Sequence, residues 1–133
     1  LAGGAVVAAG AVARSLYKDA QETQRRRSSP LHFDERLTQA DFIAIAHEVA
    51  ERVPRVQQVV VTGMTVTLDV ASNSGLSTWT AEIDFNDYGR LTGTYWVTSE
   101  NSDSLIPEHV ADGVKKHLLS RIGQDRASSG SYF

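Results

Sequence analysis

Three segments in the middle of this sequence alternate apolar and polar residues with a period of two. They cover 64–71, 79–85 and 91–98. Successive side chains of a β-strand point to opposite faces, so each segment predicts a strand with one buried face. A shorter strand is predicted at 57–62, separated from the next by Gly63. The centre of the chain is therefore predicted to form three or four strands.

Short turn sequences join these predicted strands. Residues 72–75 and 86–89 are rich in Ser, Asn, Asp and Gly, and Gly89 supplies a left-handed residue for a hairpin loop. Short loops connect antiparallel neighbours, whereas parallel strands need a long crossover. The strands are therefore predicted to form an antiparallel meander.

Two amphipathic helices flank the strands. The first is predicted over 39–53, where Thr38 and Asp41 form a capping box and Pro54 ends the helix. The last begins near Pro107. Its apolar stripe consists of Val110, Val114, Leu118 and Ile122. Two helices are thus available to cover one sheet face, which predicts an α+β two-layer sandwich.

A charge-free segment rich in Ala and Gly precedes this domain at residues 1–13. A helix predicted over 1–27 carries a basic collar behind that segment. The collar consists of Arg14, Lys18, Arg25, Arg26 and Arg27. Basic residues directly after an apolar helix are typical of the cytoplasmic boundary of a membrane, and we expect this collar to face lipid.

Three interpretations of segment 1–13 remain open, because it is shorter than the roughly 20 residues that span a bilayer. It is the end of a transmembrane helix, the remnant of a signal-peptide core, or a helix packed in a homo-oligomer. Its small residues favour close helix–helix contact. A signal peptide carries its charge before the apolar core, whereas here the charge follows. We expect a membrane-associated protein with residues 14–133 in the cytoplasm; the alternative is that the basic cluster is an ordinary solvated helix end.

Charge is distributed unevenly along the chain. Five basic and two acidic side chains give residues 1–27 a net charge of +3, and the whole chain carries −3, so residues 28–133 carry −6. An acidic domain lacks the basic face that nucleic acids require, so no nucleic-acid partner is expected. The absence of cysteine excludes disulfides and thiolate metal sites.

The predicted organisation has four parts. An apolar and basic helix at 1–27 is followed by a linker at 28–37, the α+β domain at 38–123 and a flexible polar tail at 124–133. The sequence Ser-Ser-Pro after Arg27 ends the first helix.

No catalytic set, metal site or cofactor motif is predicted. His47 and Glu51 resemble part of the zinc-protease motif, but that motif needs a second His where Glu51 stands. Residues 84–89 resemble a calcium loop whose twelfth position, here Tyr95, requires a bidentate Glu. We therefore predict a non-enzymatic domain. A hydrolase that uses the hydroxyls and carboxylates of 99–104 is the least favoured alternative.

Trp96 is the residue that the alternation leaves unexplained, because it falls on the polar face between Thr94 and Thr98. Exposed aromatic residues on a polar face often mark a contact surface. The alternative is that the N-terminal helix or residues 28–37 cover it. The following loop, 99–104, either caps the last helix or serves in recognition. The predicted binding site for a protein partner consists of Trp96, Thr94, Thr98, Glu100, Asn101 and Asp103.

Residues 38–93 resemble a PepSY-type domain. A helix patterned like 38–46 precedes a meander, and a stretch like 81–84 leads into a turn and a glycine, as at Gly89 or Gly93. The resemblance implies a non-catalytic module that is often membrane-associated or inhibitory.

The pattern from 83–89 through 99–104, with Ile106 and Pro107 behind it, is also similar to small bacterial proteins of unknown function with an N-terminal apolar helix. The leading hypothesis is a bacterial, membrane-tethered protein-interaction module without a cofactor. The alternative is a structural component that assembles through its Ala- and Gly-rich helix.

Overall fold

The computed structural model describes residues 21–130, and for 124–130 it describes the backbone only. Within this range the α+β class and the antiparallel sheet are confirmed. The apolar part of the predicted first helix lies outside the described residues. The elements are α1 (21–27), α2 (Gln39–Glu51), β1 (Val56–Thr62), β2 (Thr65–Ala71), β3 (Thr78–Asp84), β4 (Trp96–Ser99) and α3 (Ile106–Gly130).

The four strands form one antiparallel sheet in the order β1-β2-β3-β4. Leu68 of β2 faces Val59 on one side and Ala81 on the other, so all three side chains share the inner face. The β1–β2 hairpin has two central residues, Gly63 and Met64, of which only Gly63 has a positive φ, +60°. That geometry defines a type II′ turn, which matches the twist of antiparallel strands.

The hydrophobic core lies between the inner face of the sheet and the two long helices. Helix α2 packs on β1, and α3 packs on β3 and β4 as well as on α2. Core side chains that are essentially inaccessible to solvent include Phe42, Val66, Leu68, Val70, Ile83, Phe85, Val110, Val114 and Leu118. Each large apolar side chain buried in this way contributes roughly 1.5–3 kcal/mol relative to an exposed one.

The capping box predicted for α2 is present. The Thr38 hydroxyl accepts from the backbone N–H of Asp41 at 3.1 Å, and the Asp41 carboxylate accepts from the N–H of Thr38 at 3.0 Å. The Thr38 N–H lowers the pKa of Asp41, which also lies 3.4 Å from Arg121 of α3. Helix α2 ends at Glu51, two residues before the predicted end, because the N–H of Val53 bonds three residues back.

The last strand is shorter than the segment 91–98 that the alternation predicted. Residues 85–95 form an irregular connection that contains a tight turn, where Asp87 and Arg90 exchange backbone hydrogen bonds of 3.0 and 3.1 Å. Gly93 has φ +94°, a conformation that interrupts a strand. Only Trp96–Ser99 therefore pairs with β3.

Both predicted flanking segments differ from a simple linker and tail. Leu37 of segment 28–37 is buried in the core, and the N–H of His32 donates to Gly89 O at 2.7 Å. The backbone of α3 stays helical to Gly130, beyond Gln124, where the flexible tail was predicted to begin. No Pro or Gly lies between these two positions to end the helix.

Gly113 of α3 provides a test of the helix–helix contact, because a Cβ there would lie 2.6 Å from Val49 Cγ1 of α2. We expect Gly113→Ala to lower the free energy of unfolding by about 1–3 kcal/mol. Gly123 is the matched control, since a Cβ there meets no heavy atom within 4 Å. We expect Gly123→Ala to be neutral or to stabilise by up to about 1 kcal/mol in urea denaturation. Equal effects of the two substitutions would contradict the close approach of the helices.

Candidate functional site

The outer face of the sheet is polar and carries its acidic residues on β2 and β3. Strand register places Asp84 opposite Trp96, and Glu82 opposite Thr98. Asp69 lies on the same face, opposite Thr80, whose hydroxyl donates to its carboxylate at 3.2 Å. One corner of this face therefore combines the carboxylates of Asp84 and Glu82 with the indole ring of Trp96.

Helix α1 ends on that corner and inserts Arg26 into it. The Arg26 side chain is 2% exposed, and its Nη1 donates to Asp84 Oδ2 at 2.9 Å and to the backbone carbonyl of Asn86. Its guanidinium carbon lies 3.6 Å from the centroid of the Trp96 ring, within cation–π range. Of the two interpretations of Trp96, cover by the N-terminal helix thus explains one face of its ring. Trp96 nevertheless remains 37% exposed.

Asp84 is the centre of this ion-pair cluster. Its Oδ2 also accepts from Arg27 Nε at 2.6 Å, and its Oδ1 accepts from the N–H of Asn86 at 2.8 Å. Arg27 reaches Glu82 as well, at 3.1 Å. Burial lowers the pKa of Arg27, but the bonds to Asp84 and Glu82 outweigh it and the pKa is raised. The sheet therefore holds Arg27 as a cation.

The structure divides the basic collar that the sequence assigned to lipid. Arg26 and Arg27 pair with carboxylates of the sheet, because a charge is buried only where a partner satisfies it. Arg25 remains exposed beside Glu22 at 3.6 Å. Arg14 and Lys18 lie outside the described residues. Lipid contact of these last three residues stays a prediction, whereas Arg26 is enclosed by protein.

Substitution of Arg26 tests how much this ion-pair cluster contributes to the free energy of unfolding. We expect Arg26→Ala to cost about 3 kcal/mol of unfolding free energy, the lower end for breaking a buried ion pair, because Arg27 still pairs with Asp84. Arg25→Ala removes an exposed arginine one residue away and should change stability by less than about 0.5 kcal/mol. Chemical denaturation measures both. Losses of similar size would show that α1 is not held by Arg26.

Of the two predicted threonines of the site, Thr98 lies in β4 and Thr94 lies in the connection that precedes it. Thr94 is exposed, and its N–H donates to Thr92 Oγ1 at 3.3 Å; Thr98 is half-buried opposite Glu82. Between them, the Tyr95 hydroxyl donates to Asp112 Oδ1 of α3 at 2.6 Å. That hydrogen bond, with burial and the negative charge of Asp112, raises the pKa of Tyr95 to about 12. Tyr95 thereby ties the connection before β4 to α3.

The Tyr95 contact predicts an alkaline loss of stability. The folded protein keeps this proton up to about pH 12, whereas the unfolded chain releases it near pH 10.0, so the contribution is full below pH 10 and declines above it. We expect the stability difference between wild type and Tyr95→Phe to shrink as the pH rises from 9 towards 12, in urea titrations at fixed pH. A difference that stays constant over this range would contradict the raised pKa.

The loop residues of the predicted site lie at the opposite end of the sheet from Arg26. Glu100 closes this end of β3, because its Oε1 accepts from the N–H of Thr80 at 2.6 Å. Asn101 and Asp103 border a groove of about 600 Å³ between the end of α2 and the start of α3. The other residues that line it are Val53, Pro54, Arg55, Asn73, Ser104, Leu105, Ile106 and His109. Leu105 is 76% exposed at its rim.

The polar groups of this loop mainly hold its own backbone. Ser99 Oγ donates to Asn101 O at 3.0 Å, and Ser104 Oγ accepts from the N–H of Ile106 at 3.2 Å, at the start of α3. Ser104 thereby satisfies one of the free N–H groups at the start of the last helix. Among residues 21–130, no group of three or more His, Asp or Glu side chains is arranged to hold a metal ion.

The structure thus does not bring the six predicted site residues together: Trp96 lies in the corner beside Arg26, whereas Asn101 and Asp103 border the groove at the other end of the sheet. The sequence pattern did not indicate the Arg26–Asp84 pair, because the alternation placed Asp84 on a solvated face. It also missed Arg55, whose φ of 76° is rare for a non-glycine residue and turns the chain at the groove. The signal in the sequence that could have indicated the Arg26–Asp84 pair was the cluster of three arginines ahead of an acidic domain.

Comparison with protein-family models, with curated protein sequences and with solved structures finds no match to this chain. The resemblance to PepSY-type domains and to small bacterial proteins stays a prediction. In the described range, none of the helices has the length and apolar character that crossing a membrane requires.

Proposed function

We propose that this chain is a non-enzymatic, membrane-tethered interaction module whose groove receives an apolar segment of a protein partner. The observation that supports the proposal is the placement of α1 and the groove at opposite ends of the sheet. Helix α1 contacts the end of β3 at Asp84 and the start of β4 at Trp96. The groove is bordered by Arg55 before β1 and Asn101 after β4.

The placement of α1 and the groove at opposite ends of the sheet suits a membrane-tethered module. Strands of seven residues are roughly 20 Å long. A membrane at the N-terminal arm, residues 1–27, would therefore leave the groove accessible at the other end of the strands. The Arg26 cluster fixes α1 against the sheet, so the groove has a defined direction relative to that helix. A fixed direction favours binding because less orientational freedom is lost.

The walls of the groove favour a protein partner. Val53, Pro54 and Ile106 give it an apolar interior, and Leu105 leaves most of its surface in solvent. Polar groups stand at the border, which is the usual anatomy of a contact surface with an apolar centre. A buried apolar side chain of the partner would cover Leu105, while Asp103 and Asn101 stay solvated at the rim.

Site-specific photo-crosslinking in the full chain tests the groove. We expect a photoreactive residue at Leu105 to form one defined adduct with a partner protein in the host membrane. Asn73→Trp should abolish that adduct, because the indole fills the groove from an exposed loop. Leu76, 89% exposed but outside the groove lining, is the control position. Equal adducts from Leu76, or an adduct unaffected by Asn73→Trp, would reject the groove as the site.

The tether and the alternative function are tested by truncation. A chain that begins at Gln21 lacks the apolar segment but keeps Arg26. We expect it to leave the membrane fraction and to retain the Leu105 adduct. Loss of self-assembly as the only defect would instead favour the structural component built through the Ala- and Gly-rich helix.

A further inference from the structure

The two edges of the sheet differ in how far they are protected against pairing with another strand. β4 is four residues long, and a short edge strand offers little to pair with. β1 is seven residues long and contains no charged residue and no Pro. Natural edge strands are usually interrupted by charges, Pro or bulges, and β1 carries only one irregularity, at its start between Val56 and Gln58.

The open edge of β1 presents backbone groups in a defined pattern. Thr62 pairs with Thr65 across a two-residue turn, so Thr62, Val60 and Gln58 direct their N–H and C=O groups towards β2. Val59 and Val61 direct theirs away from the sheet. No other strand among residues 21–130 pairs with that side.

The side chains of β1 show which occupant this edge fits. Val59 and Val61 pack on the core at the inner face, whereas Val60 lies on the outer face with 46% exposure. The regular part of the ladder, 58–62, is centred on Val60. The residue pattern of β1 is thus symmetric about one exposed apolar residue. An antiparallel second copy of β1 would therefore place matching residues opposite each other.

We propose that β1 pairs antiparallel with β1 of a second copy of this chain, about a two-fold axis at Val60, to form a continuous eight-stranded sheet. This goes beyond the groove and does not depend on it. Val60 lies opposite the partner's Val60 as a non-hydrogen-bonded pair, in which the side chains are closest. Val59 exchanges both backbone hydrogen bonds with the partner's Val61, and Val61 does so with the partner's Val59. Every outward-directed group of the regular ladder is thereby paired, and no like charges meet.

Helix α2 adds a second layer to this interface. It covers β1, and its Asp41 faces α3 through Arg121 at 3.4 Å. Residues two positions apart lie about 200° apart around a helix, so the half-buried Ile43 is on the opposite flank, next to the two-fold axis. The two copies of α2 then flank that axis on the inner side of the sheet.

Charge substitution at Val60 tests the pairing and its register in the full chain, kept in detergent and examined by sedimentation equilibrium. We expect wild type to dimerise. Val60→Lys and Val60→Glu should each raise the dimer dissociation constant at least about tenfold, because like charges then stand directly opposite each other. An equimolar mixture of the two variants should recover dimers, since Lys then faces Glu. Val60 is exposed in the monomer, so circular dichroism should not change.

Every outcome decides the proposal. A monomeric wild type, a dimer that survives Val60→Lys, or a mixture that stays monomeric overturns it. A cysteine at the same position gives an independent readout in a chain without other cysteines. We expect Val60→Cys to form an interchain disulfide, since the paired Cα atoms would lie about 4.5 Å apart. Thr62→Cys is the matched control, with its two copies roughly 13 Å apart in this register, and equal crosslinking of both variants would also overturn it.

Discussion

The buried ion pair between Arg26 and Asp84 is the interaction on which the arrangement of the N-terminal part depends. Removing two charges from water costs several kcal/mol for each ion, and only good geometry offsets that cost. Here Asp84 also accepts from Arg27 and from the Asn86 N–H, and the guanidinium stacks on Trp96. If α1 moved away, Asp84 would lose both of its arginine partners, and Trp96 would lose the guanidinium that stacks on it. The helix is consequently part of the domain rather than an appendage.

The position of α1 in turn explains why the following segment is ordered along the sheet. Once Arg26 is in place, residues 28–33 run past the 87–90 turn, where His32 bonds Gly89 O and the backbone of Pro30 lies against Gly89. Any side chain at Gly89 would collide with that backbone, and its φ of 87° also favours glycine. The turn between β3 and β4 therefore has two roles, since it reverses the chain and receives the arm.

Sequence patterns predicted the elements that depend on local chemistry. The period of two and the Thr38–Asp41 capping box were sufficient for the inner-face strands and for α2, because burial and capping are set by neighbours in the sequence. They could not predict the Arg26–Asp84 pair, which joins residues 58 positions apart. The groove was equally hidden, because three separate connections meet there only after the sheet has formed. The predicted β4 was longer than the observed strand, because the alternation of apolar and polar residues carries no information about the backbone conformation of Gly93.

The sheet thereby presents three surfaces that do not compete with one another. The arm occupies the outer face at the β3–β4 corner, the groove opens at the far end of the strands, and the uncharged edge of β1 lies on the side away from both β3 and β4. Pairing through β1 would leave the groove and the Arg26 cluster of each copy unchanged. A two-fold axis perpendicular to the sheet keeps both outer faces, and the α1 helix on each of them, on the same side of the dimer. Because the same axis reverses the strands, the two Arg26 clusters lie towards opposite ends of the continuous sheet, and only a membrane that runs along its outer face would reach both copies of α1.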